Sequence, residues 1–109
     1  MILTIDVGNT NITCGVFDGD VIVASFRITT KMPRTSDEYG MILYNLLEQN
    51  NIQPMDIGDA IICSVVPNVM HSLWGGLVKY FHITPIIVEA GIKTGIRIVT
   101  PNPQQIGAD

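Results

Sequence analysis

Basic side chains are scarce in this chain: Lys and Arg number 6 against 10 Asp and Glu, the net charge is −4, and no run of basic residues occurs. Nucleic acid and anionic membranes both demand a positive field, so neither is expected as a partner. Cysteine is nearly absent, and Cys14 and Cys63 are too few and too far apart for a disulfide framework or a zinc site; both are read as small buried hydrophobes. The two histidines, His71 and His82, have no third metal ligand beside either and are assigned exposed or capping roles. No apolar run approaches the roughly 20 residues that cross a bilayer. No positive residue precedes the first apolar stretch and Asp6 interrupts it, which does not fit a signal peptide, so a cytoplasmic location is the default expectation. Without a secretory signal, the glycosylation sequon at Asn11-Ile12-Thr13 carries no weight. Internal repeats and low-complexity segments are also missing.

What is present is a chain of 109 residues, 47% apolar and 15% charged, enough for about one domain with one modest core. Its first twenty residues organise the rest. The apolar run Ile2 to Ile5 reaches a carboxylate at Asp6, turns over Gly8 and Asn9, and returns as a second apolar run that stops at Asp18-Gly19. That pattern predicts a β-hairpin with an acidic, glycine-containing tip. Gly8 is expected to allow positive φ and to leave no Cβ between backbone and ligand, while Asn9, Thr10, Asn11 and Thr13 offer side-chain donors beside main-chain N–H groups. Donors converging on a turn suit phosphate oxygens. Asp6 repels phosphate, so its expected role is to hold a hydrated Mg²⁺ that bridges to one. The competing reading of the same residues is a hairpin turn that is merely polar.

Farther along, Val21 to Ile28 predicts a third strand completing a meander, and Thr29 to Pro33 a loop. Thr35 or Ser36 is placed to cap a helix that runs to about Gln49, with Asp37 and Glu38 in its first turn and a stripe of Tyr39, Ile42, Leu43, Leu46 and Leu47 facing a sheet. Arg34 stands where the helix dipole disfavours a cation, so it is expected to pair with the following carboxylates or with a partner subunit. Asn50 to Gly58 is a connection. Ala60 to Val66 predicts a strand buried on both faces, and Pro67 opens a second helix with Val69, Met70, Leu73, Trp74, Leu77 and Phe81 as its stripe and Gly75-Gly76 as a site of close packing. Ile86 to Val88 is another strand. The stretch Gly91-Ile92-Lys93-Thr94-Gly95 is not a Walker A loop, because Ile92 stands where glycine is required before the lysine. Arg97 to Val99 is read as a short strand and Pro103 as the first residue of a further helix. The order βββαβαβ predicts an α/β domain of the ribonuclease H-like kind, a mixed sheet flanked by helices.

Six stretches carry a resemblance. Asp6-Val7-Gly8-Asn9-Thr10 is similar to the first phosphate motif of the acetate and sugar kinase, Hsp70 and actin superfamily. Together with Arg34 to Gly40, Ser64-Val65-Val66-Pro67, Gly91 to Gly95, Asn102-Pro103 and Gly107-Ala108-Asp109, it resembles the type III pantothenate kinases in register along the whole chain. The resemblance implies ATP-dependent phosphorylation of pantothenate, the first step of coenzyme A synthesis, with ATP lying between two similar domains. It places ATP against Asp6, Val7, Gly8, Asn9, Thr10, Asn11, Ile12 and Thr13, and pantothenate against Gly107, Ala108 and Asp109. It further implies Mg²⁺ on the nucleotide, a monovalent cation (K⁺ or NH₄⁺) whose ligand is expected beyond residue 109, and a homodimer. Thr100 departs from the family pattern, which has a substrate-contacting tyrosine there, and the chain ends before the arginine that follows Gly-Ala-Asp. Residues 1–109 are therefore read as the N-terminal ribonuclease H-like ATPase-type domain, truncated before a second similar domain.

Asp109 is the expected general base, or the group that orients the attacking hydroxyl, since an alcohol is a poor nucleophile at neutral pH. The alternative is an Asp favoured structurally near a helix start. Two functional rivals remain: a nucleotide- or effector-binding regulatory domain of the same fold without catalysis, and a kinase of another small hydroxylated substrate.

Overall fold

Two short turns fold the first part of the chain into a meander of β1 (Ile2–Val7), β2 (Asn11–Asp18) and β3 (Val21–Thr29). The computed structural model describes residues 1–90 and 96–99. At the β2–β3 turn Gly19 has φ 63°, the backbone that a two-residue hairpin loop reserves for glycine. Val16 opposes Ala24 and Phe17 opposes Ile22, so Val23 is an extra, bulged residue that turns Ile22 toward the same face as Phe17. A helix α1 (Ser36–Gln49) follows, then a single 3₁₀ turn (Pro54–Asp56), β4 (Asp59–Ser64), α2 (Pro67–Phe81), β5 (Ile86–Ala90) and β6 (Ile96–Val99).

The six strands lie in the order β3-β2-β1-β4-β5-β6. β4 pairs parallel with β1 and with β5, whereas β2, β3 and β6 run antiparallel to their neighbours. This is the mixed α/β sheet that the strand order predicts, with β6 added at its edge. Period-2 alternation sorts the side chains. Phe26, Cys14, Ile5, Ile62 and Ile87 form one row across five strands on the core face. Both helices cover that face, and Tyr39, Leu43, Leu47, Met70, Leu73, Leu77 and Phe81 join the strand residues in a single buried cluster.

Two expectations are corrected. β4 is buried on one face only: Ala60, Ile62 and Ser64 are inside, while Ile61 and Cys63 are half-buried because no helix among the described residues covers the other side. For the same reason Cys63 is not a fully buried hydrophobe, although Cys14 is. The histidines conform, both being exposed, with His82 ending α2 in the left-handed region at φ 57°.

α1 begins with a reciprocal cap. Thr35 Oγ1 accepts from Glu38 N at 3.2 Å, and Glu38 Oε1 accepts from Thr35 N at 2.8 Å. The two helices then cross with almost no side chain between them. A Cβ on Gly76 would stand 2.7 Å from Ser36 O and 3.0 Å from Gly40 N; one on Gly40 would enter the Tyr80 ring, and one on Gly75 would strike Ser36 Oγ. Asp37 fastens the outside of this crossing, accepting from Lys79 Nζ at 2.7 Å and Tyr80 Oη at 2.9 Å. The hydrogen bond from Lys79, with that from Tyr80, holds the Asp37 carboxyl below its usual pKa.

Gly76→Ala is expected to destabilise the fold by about 1–3 kcal/mol, because the obstructing atoms are backbone that cannot rotate away. Gly58→Ala, with nothing within 4 Å of the new methyl, is its control and should fall within about 0.5 kcal/mol of the parent in denaturant titration. Asp37 has the lower pKa in the folded state, so its contribution is present above the unfolded carboxyl value and is lost as pH falls through the folded one. Asp37→Asn should therefore lower stability slightly at neutral pH and converge with the parent as pH falls below about 4, which flattens the acid limb of the stability profile.

Candidate functional site

The hairpin tip stands at the edge where β1 and β4 end. Val7 and Ile12 oppose each other and are buried in the core, which anchors the tip from below. Gly8 N donates to Asn11 O at 2.9 Å, closing a two-residue loop of Asn9 and Thr10. Gly8 does not have the positive φ expected of it. Its constraint is space: a Cβ there would lie 3.2 Å from Asn11 O, and its N–H is already engaged inside the hairpin. Of the expected ATP contacts, Asp6, Asn9, Thr10, Asn11 and Thr13 are exposed, Gly8 is half-buried, and Val7 and Ile12 can offer only backbone.

Three of the quoted stretches converge here. Val65 N donates to Val7 O at 3.2 Å, which carries the β1–β4 ladder one residue past the end of β4 and sets Ser64–Pro67 beside the hairpin. Ser64 is buried, and its Oγ both donates to Val66 O and accepts from Val66 N at 2.9 Å, fixing the bend into α2. On the other flank Thr30 Oγ1 donates to Gly8 O at 2.9 Å and Thr30 N donates to Thr10 O at 3.0 Å. Sequence reasoning left Thr30 in a loop and missed it. The signal was the meander register, since Asn11 opposite Thr29 puts the next residue opposite Thr10.

For Arg34, the expected pairing with the following carboxylates is also corrected. Neither following carboxylate pairs with it, because Glu38 is engaged in the helix cap and Asp37 with α2. Instead Arg34 Nη1 donates to Thr29 O at 2.6 Å, and the guanidinium lies 5.6 Å from the centroid of the Tyr39 ring.

On the sheet face away from the helices, strand pairing aligns Arg27, Thr13, Asp6, Cys63 and Val88 in one row. Burial and, secondarily, the Asp6 carboxylate push the Cys63 thiol pKa up, while burial alone raises Cys14 to about 12. The Asp6 carboxylate accepts no hydrogen bond among the described residues, and no group of three or more metal-ligating side chains occurs there. A single exposed carboxylate beside hydroxyl and amide donors fits a hydrated Mg²⁺ bridging to phosphate better than a protein-caged metal. Thr100, Gly107, Ala108 and Asp109 lie outside the described residues, as do Gly91 to Gly95 and Asn102-Pro103.

Asp6→Asn should lower the Cys63 thiol pKa toward its ordinary value and quicken its alkylation near pH 8, with Cys14 still protected in the folded chain. Rates followed by mass spectrometry check this, and an unchanged Cys63 rate would separate the two side chains.

Comparison with known proteins adds three findings. The family model described as "Type III pantothenate kinase" matches residues 2–109. A protein of Agathobacter rectalis named type III pantothenate kinase is 81% identical over 109 residues, covering 100% of this chain and 42% of its own length. Proteins with the same name from Bifidobacterium longum and Bifidobacterium animalis subsp. lactis are 50% and 48% identical over 109 residues, again covering 100% of this chain and 43% of theirs. The chain thus spans about two-fifths of the length of the curated relatives it matches.

Proposed function

The chain belongs to the type III pantothenate kinase family, and on that premise we propose that the protein containing it transfers the γ-phosphoryl group of ATP to the hydroxyl end of pantothenate, opening coenzyme A synthesis. The observation that carries this reading is the buttressed hairpin: a tip pinned by Val7 and Ile12 in the core, by Thr30 and by Val65, with free donors at Asn9, Thr10, Asn11 and Thr13 and a carboxylate at Asp6. Phosphoryl transfer asks a protein mainly for positioning and charge neutralisation, and a rigid tip of this composition supplies both.

In the proposed reaction Mg²⁺ on the nucleotide supplies neutralisation of the developing phosphate charge. Asp6 holds the hydrated ion, and the tip donors orient the phosphate oxygens. Asp109 accepts the proton of the pantothenate hydroxyl, Gly107 and Ala108 let the substrate approach the backbone, and Thr100 takes the place of the family's substrate-contacting tyrosine. The monovalent cation, K⁺ or NH₄⁺, and its ligand belong to a second, similar domain that closes the nucleotide cleft. A cytoplasmic homodimer completes the proposal. Its support is the family membership and the register of all six motifs.

Asp6→Asn in the full-length protein should reduce pantothenate phosphorylation by roughly a hundredfold or more at ordinary Mg²⁺. Asp109→Asn should remove turnover while leaving ATP binding intact. Turnover by coupled assay and nucleotide binding by calorimetry, measured on the same preparations, test both; near-normal turnover in either variant would end that residue's role.

A further inference from the structure

A cavity of about 330 Å³ opens between the β3–α1 loop and the first turns of α2, with Lys31, Arg34, Tyr39, Asn68, Val69 and Ser72 in its wall. Its chemistry is one-sided. The chain has 10 acidic and 6 basic residues, yet two of the basic ones line this cavity and no carboxylate does. Arg34 is held in place by a neutral carbonyl and an aromatic face, which fix the guanidinium without neutralising it. The carboxylates that could have paired with it are bound to Thr35, Lys79 and Tyr80.

Opposite Arg34 is the start of a 15-residue helix, and it is left open. Val66 at the N-cap supplies no side-chain cap, no acidic residue lies in the first turn, and Pro67 removes one donor, so the amides of Asn68 and Val69 have no partner among the described residues. A second observation is independent of the helix. Tyr39 is 1% exposed, and its hydroxyl is buried without a partner among the described residues. A buried donor of that kind is costly unless something accepts from it.

We infer that this cavity is a binding site for the oxyanion group of a small molecule, a phosphate or a carboxylate, distinct from the nucleotide phosphates at the hairpin. The Arg34 fork and the amides of Asn68 and Val69 belong to its wall, Lys31 adds charge at the exposed side, and the Tyr39 ring backs the guanidinium. The site is separate from the hairpin but touches its support, because Thr30 both lines the cavity and donates to Gly8 O.

The test is amide and arginine side-chain NMR on the labelled chain, titrated at constant ionic strength with inorganic phosphate, glycerol phosphate and acetate in separate arms. Saturable shifts at Asn68, Val69 and Arg34 are expected from at least one of these anions, and comparison of the arms identifies whether free phosphate, a phosphoester or a carboxylate fits best. Arg34→Gln should weaken that binding about tenfold or more, as loss of a charged hydrogen bond implies. Lys31→Gln, at an exposed position that does not hold the fold, should weaken it less, and Asp6→Asn should leave it unchanged. Shifts that do not saturate for any of the three anions, or that are confined to Gly8 to Thr13, would overturn the site. Unaltered binding in both folded Arg34→Gln and Lys31→Gln would overturn it equally.

Discussion

The near-contact of α1 and α2 at Gly40 and Gly76 is the constraint on which the rest of the structure depends. Helices with ordinary side chains at a crossing lie about 8–10 Å apart, and here glycine removes the spacer from both partners. The closeness lets two helices share one sheet face, so a single cluster of buried side chains serves both. It also sets the first turn of α1 against the second half of α2, so that the loop before α1 lies beside the first turns of α2, next to the hairpin. Asp37 locks the pair from outside, but an exposed ion pair is a weak fastening, and the packing beneath it is what sets the geometry.

From that frame the alternation of the strands separates support from chemistry. Val7 and Ile12 point into the core and Asp6 and Thr13 point away, although all four belong to the same few residues of β1 and β2. A slip of one residue would exchange the two sets. The tip is therefore positioned by the same apolar contacts that hold the domain, and its exposed polar side chains make no hydrogen bond among the described residues.

Much of this could be read in advance, and for identifiable reasons. The α1 boundaries follow from Thr35 and Glu38, whose capping pattern is local, and the Gly75-Gly76 pair announced a close approach before any partner was known. The hairpin followed from two apolar runs around a turn. What failed depended on neighbours distant in sequence. Burial of β4 on both faces was inferred from its composition, but composition cannot say that both helices lie on one side. Arg34 was given to the nearest carboxylates, and those are taken by a backbone amide three residues before Glu38 and by a lysine 42 residues after Asp37. Thr30 was overlooked because a loop residue acquires its role only from the register of the sheet beside it. Gly8 was assigned conformational freedom when the relevant limit was steric.

The hairpin carboxylate and the cavity lie at one edge of the sheet but on opposite faces of it. Asp6 belongs to the row with Thr13 and Cys63 on the side no described helix covers, whereas Arg34, Asn68 and Val69 are on the side that α1 and α2 occupy. Between them run the ends of β1 and β4, joined by the Val65 to Val7 hydrogen bond, and the loop that Thr30 fastens to Gly8 and Thr10. Charges on the two sides are thus kept apart by backbone rather than by solvent. The hydrogen bonds that join them mechanically are those of Thr30 and Val65, residues that hold the tip and also adjoin the cavity or the bend into α2. A shift of the β3–α1 loop that lengthened the Thr30 bonds would loosen the tip without touching a single one of its exposed donors.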